Sequence, residues 1–141
     1  MPPDLRDPTR PDEWLRRARS NLALARAHTA VPDVLLEDLC FEAQQAAEKA
    51  IKAVLVHYQI EFPKTHVLTD LLDLLASHGV KIRDDVREAK SLTRYAVATR
   101  YVGLVEDVTD AHYQQAIELA SRVLRWAESA VASPTPDDER S

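Results

Sequence analysis

Glycine and cysteine are scarce in this chain of 141 residues, which contains two glycines and one cysteine. Tight β-turns depend on glycine, whereas alanine, leucine, arginine and glutamate, which are all frequent here, favour helices. The composition therefore predicts an all-α protein and argues against a sheet. The single cysteine, Cys40, excludes a disulfide within the chain and is typical of a reducing compartment.

Other features are missing as well, and each absence excludes a class of protein. The sequence has no apolar run as long as a membrane span, and its first residues, MPPDLRDPTRP, lack the apolar core of a signal peptide. We therefore expect a soluble, cytoplasmic protein that has no contact with a membrane. The net charge of −5 has the wrong sign for a broad surface that binds duplex DNA.

Phosphate loops and metal sites also lack their usual residues. The two glycines, Gly79 and Gly103, are too far apart to form a glycine-rich phosphate loop. The five histidines are scattered, without the spacing of a metal site built from His, Cys, Asp and Glu. We therefore predict no metal and no other cofactor.

The remaining pattern is that of one helical domain between two tails. Proline-containing residues 1–10 and 133–141 are predicted to be disordered tails, and residues 11–132 form the domain. Apolar residues recur at helical spacing in five segments. These are 11–28, 34–58, a short segment from Thr65 as its N-cap to His78 and Gly79, 83–102, and a last helix from Thr109 or Asp110 to about 131. We expect an up-and-down bundle of four long helices and one short helix.

The second helix is predicted to be the centre of the bundle. Its apolar residues cover more than half of the helix circumference, whereas a helix at the surface of a bundle needs only a narrower stripe. The apolar positions are Leu35, Leu39, Ala43, Ala46, Ala47, Ala50, Ile51, Val54 and Leu55. The many alanines let neighbouring helices approach closely.

The opposite face of this helix is polar. Gln45, Glu48, Lys49 and Lys52 lie at positions i, i+3, i+4 and i+7, and therefore on one stripe. Phe41 projects into the same polar arc, which is a common composition for a protein interface. Two interpretations stay open: a solvated face held by a Glu48–Lys52 ion pair, or a polar site used by a ligand or partner.

The fourth segment contains a second unusual group, in SLTRYAVATRYVG. Arg94 and Tyr101 lie on one face, and Arg100 lies at the edge of the apolar arc. A buried arginine needs a carboxylate or a phosphate, because an unpaired charge is costly to bury. Arg100 is either an arginine with an intramolecular acidic partner, for which Glu48 is the first candidate, or half of an anion-binding Arg–Tyr pair in a cleft.

Four stretches together resemble the HEPN domain, in particular its small stand-alone prokaryotic type. They are FEAQQAAEKAIKAVL, PKTH-x-L-x-x-L, TRYV and the alanine-rich last helix near Trp126, and the resemblance spans residues 12–130. It implies a helical bundle and a homodimer, often with a minimal nucleotidyltransferase as partner in a toxin–antitoxin arrangement. Some members bind nucleotides, and others are metal-independent ribonucleases. The matching positions are Gln45, Glu48, Lys49, Lys52, Lys64, Thr65, His66, Arg100 and Tyr101.

The ribonuclease pattern of the family is missing from this sequence. Nuclease members carry an arginine followed after four to six residues by a histidine, which can transfer a proton at the scissile phosphate. None of the five histidines here has an arginine at that spacing, and the residues after Arg100 read YVGLVED. We therefore predict no catalytic residues.

Three hypotheses about function follow. The favoured one is a non-catalytic HEPN-type homodimer that acts with a minimal nucleotidyltransferase. The second is a nucleotide-binding module that uses Lys49, Lys52, Arg100 and Tyr101, and the third is an atypical ribonuclease. The candidates for a polar network or an interface are Phe41, Gln45, Glu48, Lys64, His66 and Arg94.

Overall fold

The computed structural model describes residues 7–27, 31–97 and 108–133, and these residues contain helices and no strand. The elements are α1 (Pro11–Arg26), α2 (Leu36–His57), α3 (Leu68–Ser77), α4 (Asp84–Arg87), a 3₁₀ helix (Glu88–Thr93), α5 (Arg94–Val97) and α6 (Asp110–Ala132). The predicted all-helical bundle is therefore confirmed.

Helix α2 is the centre of the bundle, as its wide apolar arc predicts. It contacts α1, α3, α5, α6 and the 3₁₀ helix. Five alanines of α2 are completely buried between the helix and its neighbours. They are Ala43, Ala46, Ala47, Ala50 and Ala53. Because alanine extends only one carbon from the backbone, several helices can approach α2 closely on different sides.

The helix ends follow local sequence signals. Pro11 opens α1, where the missing amide hydrogen costs nothing, and Asp12 and Glu13 complement the positive end of the helix. Thr109 caps α6: its hydroxyl oxygen accepts a hydrogen bond from the amide of His112 at 3.2 Å. Gly79 has the positive φ of +86° that the end of α3 requires.

The fourth predicted helix, residues 83–102, differs from the structure in its described part. Residues 84–97 form two short α-helical turns that flank a 3₁₀ helix. Four of the buried residues in this stretch recur at every third position, namely Val86, Ala89, Leu92 and Tyr95, and Ala96 beside Tyr95 is buried as well. This spacing matches the 3.0 residues per turn of a 3₁₀ helix rather than the 3.6 of an α-helix. Residues 98–107 lie outside the described residues.

The predicted N-cap of α3, Thr65, is wrong. Helix α3 begins at Leu68, and Thr65 instead accepts a hydrogen bond from the amide of Val67 at 3.1 Å. The first amide of the helix, that of Leu68, donates to the hydroxyl of Thr93 at 3.2 Å. A residue that is distant in sequence therefore satisfies this amide, which no local pattern could reveal.

A reversal at the end of α2 positions the candidate site. Gln59 takes a left-handed conformation with φ of +58°, and the amide of Ile60 donates to the carbonyl of Leu55 at 2.9 Å. The chain then folds back, so that the ring centroid of Phe62 lies 5.6 Å from Lys52 Nζ on α2. Residues 58–67, called here the α2–α3 connection, form one wall of the cleft described below.

Two findings on the described residues bear on the class of protein. Within ranges 7–27, 31–97 and 108–133, no helix is long and apolar enough to cross a bilayer. Cys40 is completely buried. Burial raises the pKa of its thiol to about 11, although a hydrogen bond with Tyr95 and the charge of Arg94 act in the opposite direction. Cys40 is therefore a poor nucleophile.

Candidate functional site

A buried carboxylate lies at the middle of α2. The Glu48 side chain is almost fully enclosed, with the residue 3% exposed. Its Oε1 accepts hydrogen bonds from Gln44 Nε2 at 3.1 Å and His66 Nδ1 at 2.9 Å, and its Oε2 accepts from Lys52 Nζ at 2.9 Å. We call these four residues the Glu48 centre. The interpretation of Glu48 as part of a solvated face is therefore wrong.

The geometry of the helix explains how this centre forms. Gln44, Glu48 and Lys52 are spaced four residues apart, so their side chains line up along one side of α2. His66 comes from the α2–α3 connection, and its carbonyl oxygen accepts a second bond from Gln44 Nε2 at 3.3 Å. The centre thus attaches the connection to α2 at two points.

The partners of Glu48 keep it ionised. Burial by itself raises the pKa of this carboxyl group, but the hydrogen bonds from His66, Lys52 and Gln44 together lower the pKa below its ordinary value. A carboxylate that already accepts three hydrogen bonds has little capacity left for a substrate proton. The centre is therefore arranged to hold structure rather than to act as a general base.

A second polar network joins α1 to α2. Lys49 Nζ donates to Asn21 Oδ1 at 2.8 Å, and Asn21 Nδ2 donates to Glu42 Oε2 at 2.6 Å. Burial lowers the pKa of Lys49, and the neighbouring charge of Glu42 partly opposes this change. Lys49 and Lys52 therefore serve two different networks, although they lie on one stripe of α2.

A cleft opens beside Lys52. The rings of Trp14 and Phe62 meet edge to face, with their centroids 6.0 Å apart and an interplanar angle of 76°. Lys52 Nζ lies 5.8 Å from the centroid of Trp14 and 5.6 Å from that of Phe62, within range of cation–π attraction. Trp14 is held by a hydrogen bond of 2.8 Å from its Nε1 to the carbonyl of Pro8.

We call this space the Trp14–Phe62 cleft. Its volume of about 690 Å³ falls in the range of small-molecule and peptide sites. Its lining is mostly apolar and consists of Pro8, Thr9, Trp14, Lys52, Val56, Gln59, Ile60, Glu61, Phe62, Pro63 and Lys64. The cleft can therefore take an apolar or aromatic group, and Lys64 at its exposed rim can meet a negative charge.

The structure brings some of the predicted site residues together and separates others. Glu48, Lys52 and His66 meet in one centre, and Lys64 lines the cleft beside Lys52. Lys49 contacts Asn21 instead. Arg100 and Tyr101 lie outside the described residues, so their predicted roles, and the predicted contact of Arg100 with Glu48, stay predictions.

The three other candidates lie elsewhere. Gln45 Nε2 donates to Gln44 Oε1 at 2.7 Å, which supports the Glu48 centre from outside. Phe41 is half-buried on α2. Arg94 lies against its neighbour Tyr95, with its guanidinium carbon 5.4 Å from the ring centroid.

Three members of the site were not assigned to it from the sequence. Trp14 and Phe62 come from segments far apart in sequence, and neither has a local pattern that pairs it with the other. Gln44 was visible in principle, because it stands four residues before Glu48 and eight before Lys52. In the described part of the chain, no group of three or more His, Cys, Asp or Glu side chains could hold a metal ion.

A family model and one solved structure point to the same family. The family model of the HEPN domain matches residues 11–130. A crystal structure of an archaeal HEPN homologue is 25% identical to the chain, with a TM-score of 0.68, and a crystal structure of a protein from Thermus thermophilus is 32% identical, with a TM-score of 0.70. Each match covers 86% of this chain and 98% of the other chain. The comparison with curated proteins gave no significant match.

Proposed function

Because the chain belongs to the HEPN domain family, we propose that it acts as a non-catalytic homodimer that binds a minimal nucleotidyltransferase in a module of the toxin–antitoxin type. The cytoplasmic location that the sequence predicts is part of this proposal. The observation that carries it is an exposed apolar surface where α1 leads into α2.

This surface contains a groove with a volume of about 270 Å³. We call it the Leu24 groove, and its lining residues are Leu24, Ala27, Val31, Val34, Asp38, Leu39 and Glu42. Leu24 is 54% exposed, Val31 is 47% exposed and Val34 is 37% exposed. Large apolar side chains that share one exposed groove are typical of a protein–protein contact.

The Glu48 centre supports the non-catalytic part of the proposal. Glu48 and Lys52 are the buried charged pair of the site, and each is committed to the other at 2.9 Å. The sequence also lacks the Arg and His spacing of the nuclease members. The arginine and histidine that the nuclease members use for phosphodiester cleavage are therefore missing at their usual spacing, and Glu48 already accepts three hydrogen bonds.

The first test measures the oligomeric state. We expect light scattering of the full chain at micromolar concentration to give twice the mass of one chain. Leu24→Glu would place a charge in the apolar groove, and we expect it to weaken the dimer at least about tenfold. The matched control is Val67→Glu, because Val67 is also exposed, at 40%, but lies outside the groove.

The homodimer and the Leu24 groove as its interface can be refuted separately. A wild-type chain that is monomeric at micromolar concentration would refute the homodimer. A dimer that both variants leave intact would keep the homodimer and reject the Leu24 groove as its interface.

The second part of the proposal concerns the partner. We expect the open reading frame next to the gene to encode a small nucleotidyltransferase, and we expect that protein to co-purify with the tagged full chain after co-expression. Co-expression with an unrelated protein of similar size is the control. If the neighbouring nucleotidyltransferase is present and does not co-purify, the pairing is refuted.

A second candidate function, nucleotide binding, is favoured by one specific observation. The Trp14–Phe62 cleft offers aromatic rings that can stack on a nucleotide base. It also offers Lys52 and Lys64, which can bind a phosphate. Lys52 shares its charge with Glu48, so Lys64 is the stronger candidate for the phosphate. Lys49 does not line this cleft.

Calorimetric titration of the full chain with ATP and GTP tests this candidate. We expect Lys64→Glu to weaken binding about tenfold, because a favourable charge becomes a repulsive one. Lys81→Glu makes the same change at an exposed lysine outside the cleft and is expected to bind as the wild type does. Absence of heat at millimolar nucleotide would remove this function.

A further inference from the structure

We propose that the Trp14–Phe62 cleft is a docking site for an acidic, proline-containing peptide segment, and that residues 134–141 of the same chain supply that segment. These residues read PTPDDERS and lie outside the described part of the chain. The proposal does not depend on the proposed function, since it involves neither a nucleotide nor a partner protein.

The place where the chain leaves α6 supports this assignment. The carbonyl oxygen of Ser133, the residue after α6, accepts a hydrogen bond from His57 Nε2 at 2.9 Å. His57 is the last residue of α2, and its neighbour Val56 lines the cleft. The segment therefore starts beside the helix that forms the cleft wall.

The segment is also long enough to reach the cleft. Its eight residues can span roughly 26–29 Å when extended. Along α2, Lys52 lies only about 8 Å from His57, and Val56 lies about 100° around the helix from His57. A path of this length leaves several residues of the segment free to lie within the cleft.

The chemistry of the segment matches the lining of the cleft. Proline-rich segments dock in grooves lined by aromatic rings, and Pro134 and Pro136 would meet Trp14 and Phe62 in this way. The acidic residues that follow the second proline would then lie near Lys64 at the exposed rim.

The charges of the cleft favour an acidic occupant, although not strongly. Lys52 and Lys64 line the cleft together with one acidic residue, Glu61. Lys52 is already paired with Glu48, so Lys64 provides most of the attraction that remains. We therefore expect docking to depend on Lys64 and to weaken as salt is added.

Tryptophan fluorescence can report on the cleft directly. The chain has two tryptophans, and Trp126 is buried at 9% exposure, so Trp126→Phe leaves Trp14 as the only reporter. In this background we compare the full chain with a chain that ends at Ser133. A tethered segment has an effective concentration in the millimolar range, so we expect truncation to raise acrylamide quenching of Trp14 about twofold.

Three further measurements sharpen the comparison. A synthetic peptide of residues 133–141 should restore the lower quenching of the truncated chain, and a peptide with Asn and Gln in place of its acids should not. Lys64→Glu in the full chain should reproduce the effect of truncation, whereas Lys81→Glu should not. The comparison of full and truncated chains is repeated with Trp126 intact, which separates docking from any effect of that substitution on folding.

The outcomes decide the proposal in either direction. Equal quenching of Trp14 in the full and truncated chains would overturn it. A difference that is independent of protein concentration supports docking within one chain. A difference that disappears on dilution would overturn this assignment and point instead to the segment of a second copy.

Discussion

Glu48→Ala is expected to lower the free energy of unfolding by about 3–5 kcal/mol, because the substitution leaves a buried cation without its partner. The Lys52 side chain is only 12% exposed, and its Nζ lies 2.9 Å from the carboxylate that would be lost. Gln44, which is completely buried, would also lose an acceptor for its side-chain amide. Urea unfolding followed by circular dichroism measures the loss.

The matched control for this prediction is Glu118→Ala. Glu118 pairs with Arg122 at 3.1 Å, also at i,i+4 spacing, but its side chain is 69% exposed. Surface ion pairs contribute about 0–1 kcal/mol, so the control should change stability little. Similar losses for the two variants would contradict the structural role assigned to the buried centre.

The contribution of Glu48 also has a defined pH dependence. Burial raises the pKa of Glu48 in the folded protein, but the hydrogen bonds from His66, Lys52 and Gln44 lower this pKa below its ordinary value. The stabilisation by Glu48 is therefore complete at pH values above the pKa of Glu48 in the unfolded chain. It is lost as the pH falls through the pKa of Glu48 in the folded protein. The difference in stability between wild type and Glu48→Ala should be largest near pH 7 and shrink in acid. If the difference in stability between wild type and Glu48→Ala grew in acid, the predicted direction of the pH dependence would be wrong.

Leu55→Ala is expected to cost about 2–5 kcal/mol, which is the second large effect. Leu55 is completely buried on the central helix, where neighbouring helices pack on several sides. Its removal leaves a cavity that these neighbours cannot fill without moving away from their other contacts.

The control for the cavity is Leu35→Ala, which removes the same atoms from a side chain that is 56% exposed. We expect the free energy of unfolding to change by no more than about 0.5 kcal/mol. Urea unfolding measures this change at one fixed protein concentration, because formation of a dimer would make stability depend on concentration. Equal effects for the two leucines would contradict the central position of α2.

The sequence predicted the helical elements where the signal is local and repeated. The alanine-rich arc of α2 and the Thr109 cap of α6 depend only on residues within a few positions of each other. For residues 84–97 the prediction of an α-helix was wrong. Val86, Ala89 and Leu92 are spaced three residues apart, which is the period of a 3₁₀ helix. The two periods differ little over a short segment, so packing against α2, α3 and α6 decides between them.

In the candidate site, too, some features follow from the sequence and others follow only from the tertiary structure. The sequence alone determined the all-helical class, the central helix and the line of polar residues that contains Glu48 and Lys52, because each follows from spacing along one helix. Only the tertiary structure decided that Glu48 is buried under His66, that Lys49 and Lys52 join different networks, and that Trp14 meets Phe62. Each of these contacts joins residues from separate elements, and their meeting depends on how the helices and the α2–α3 connection pack, which no spacing within one segment can specify.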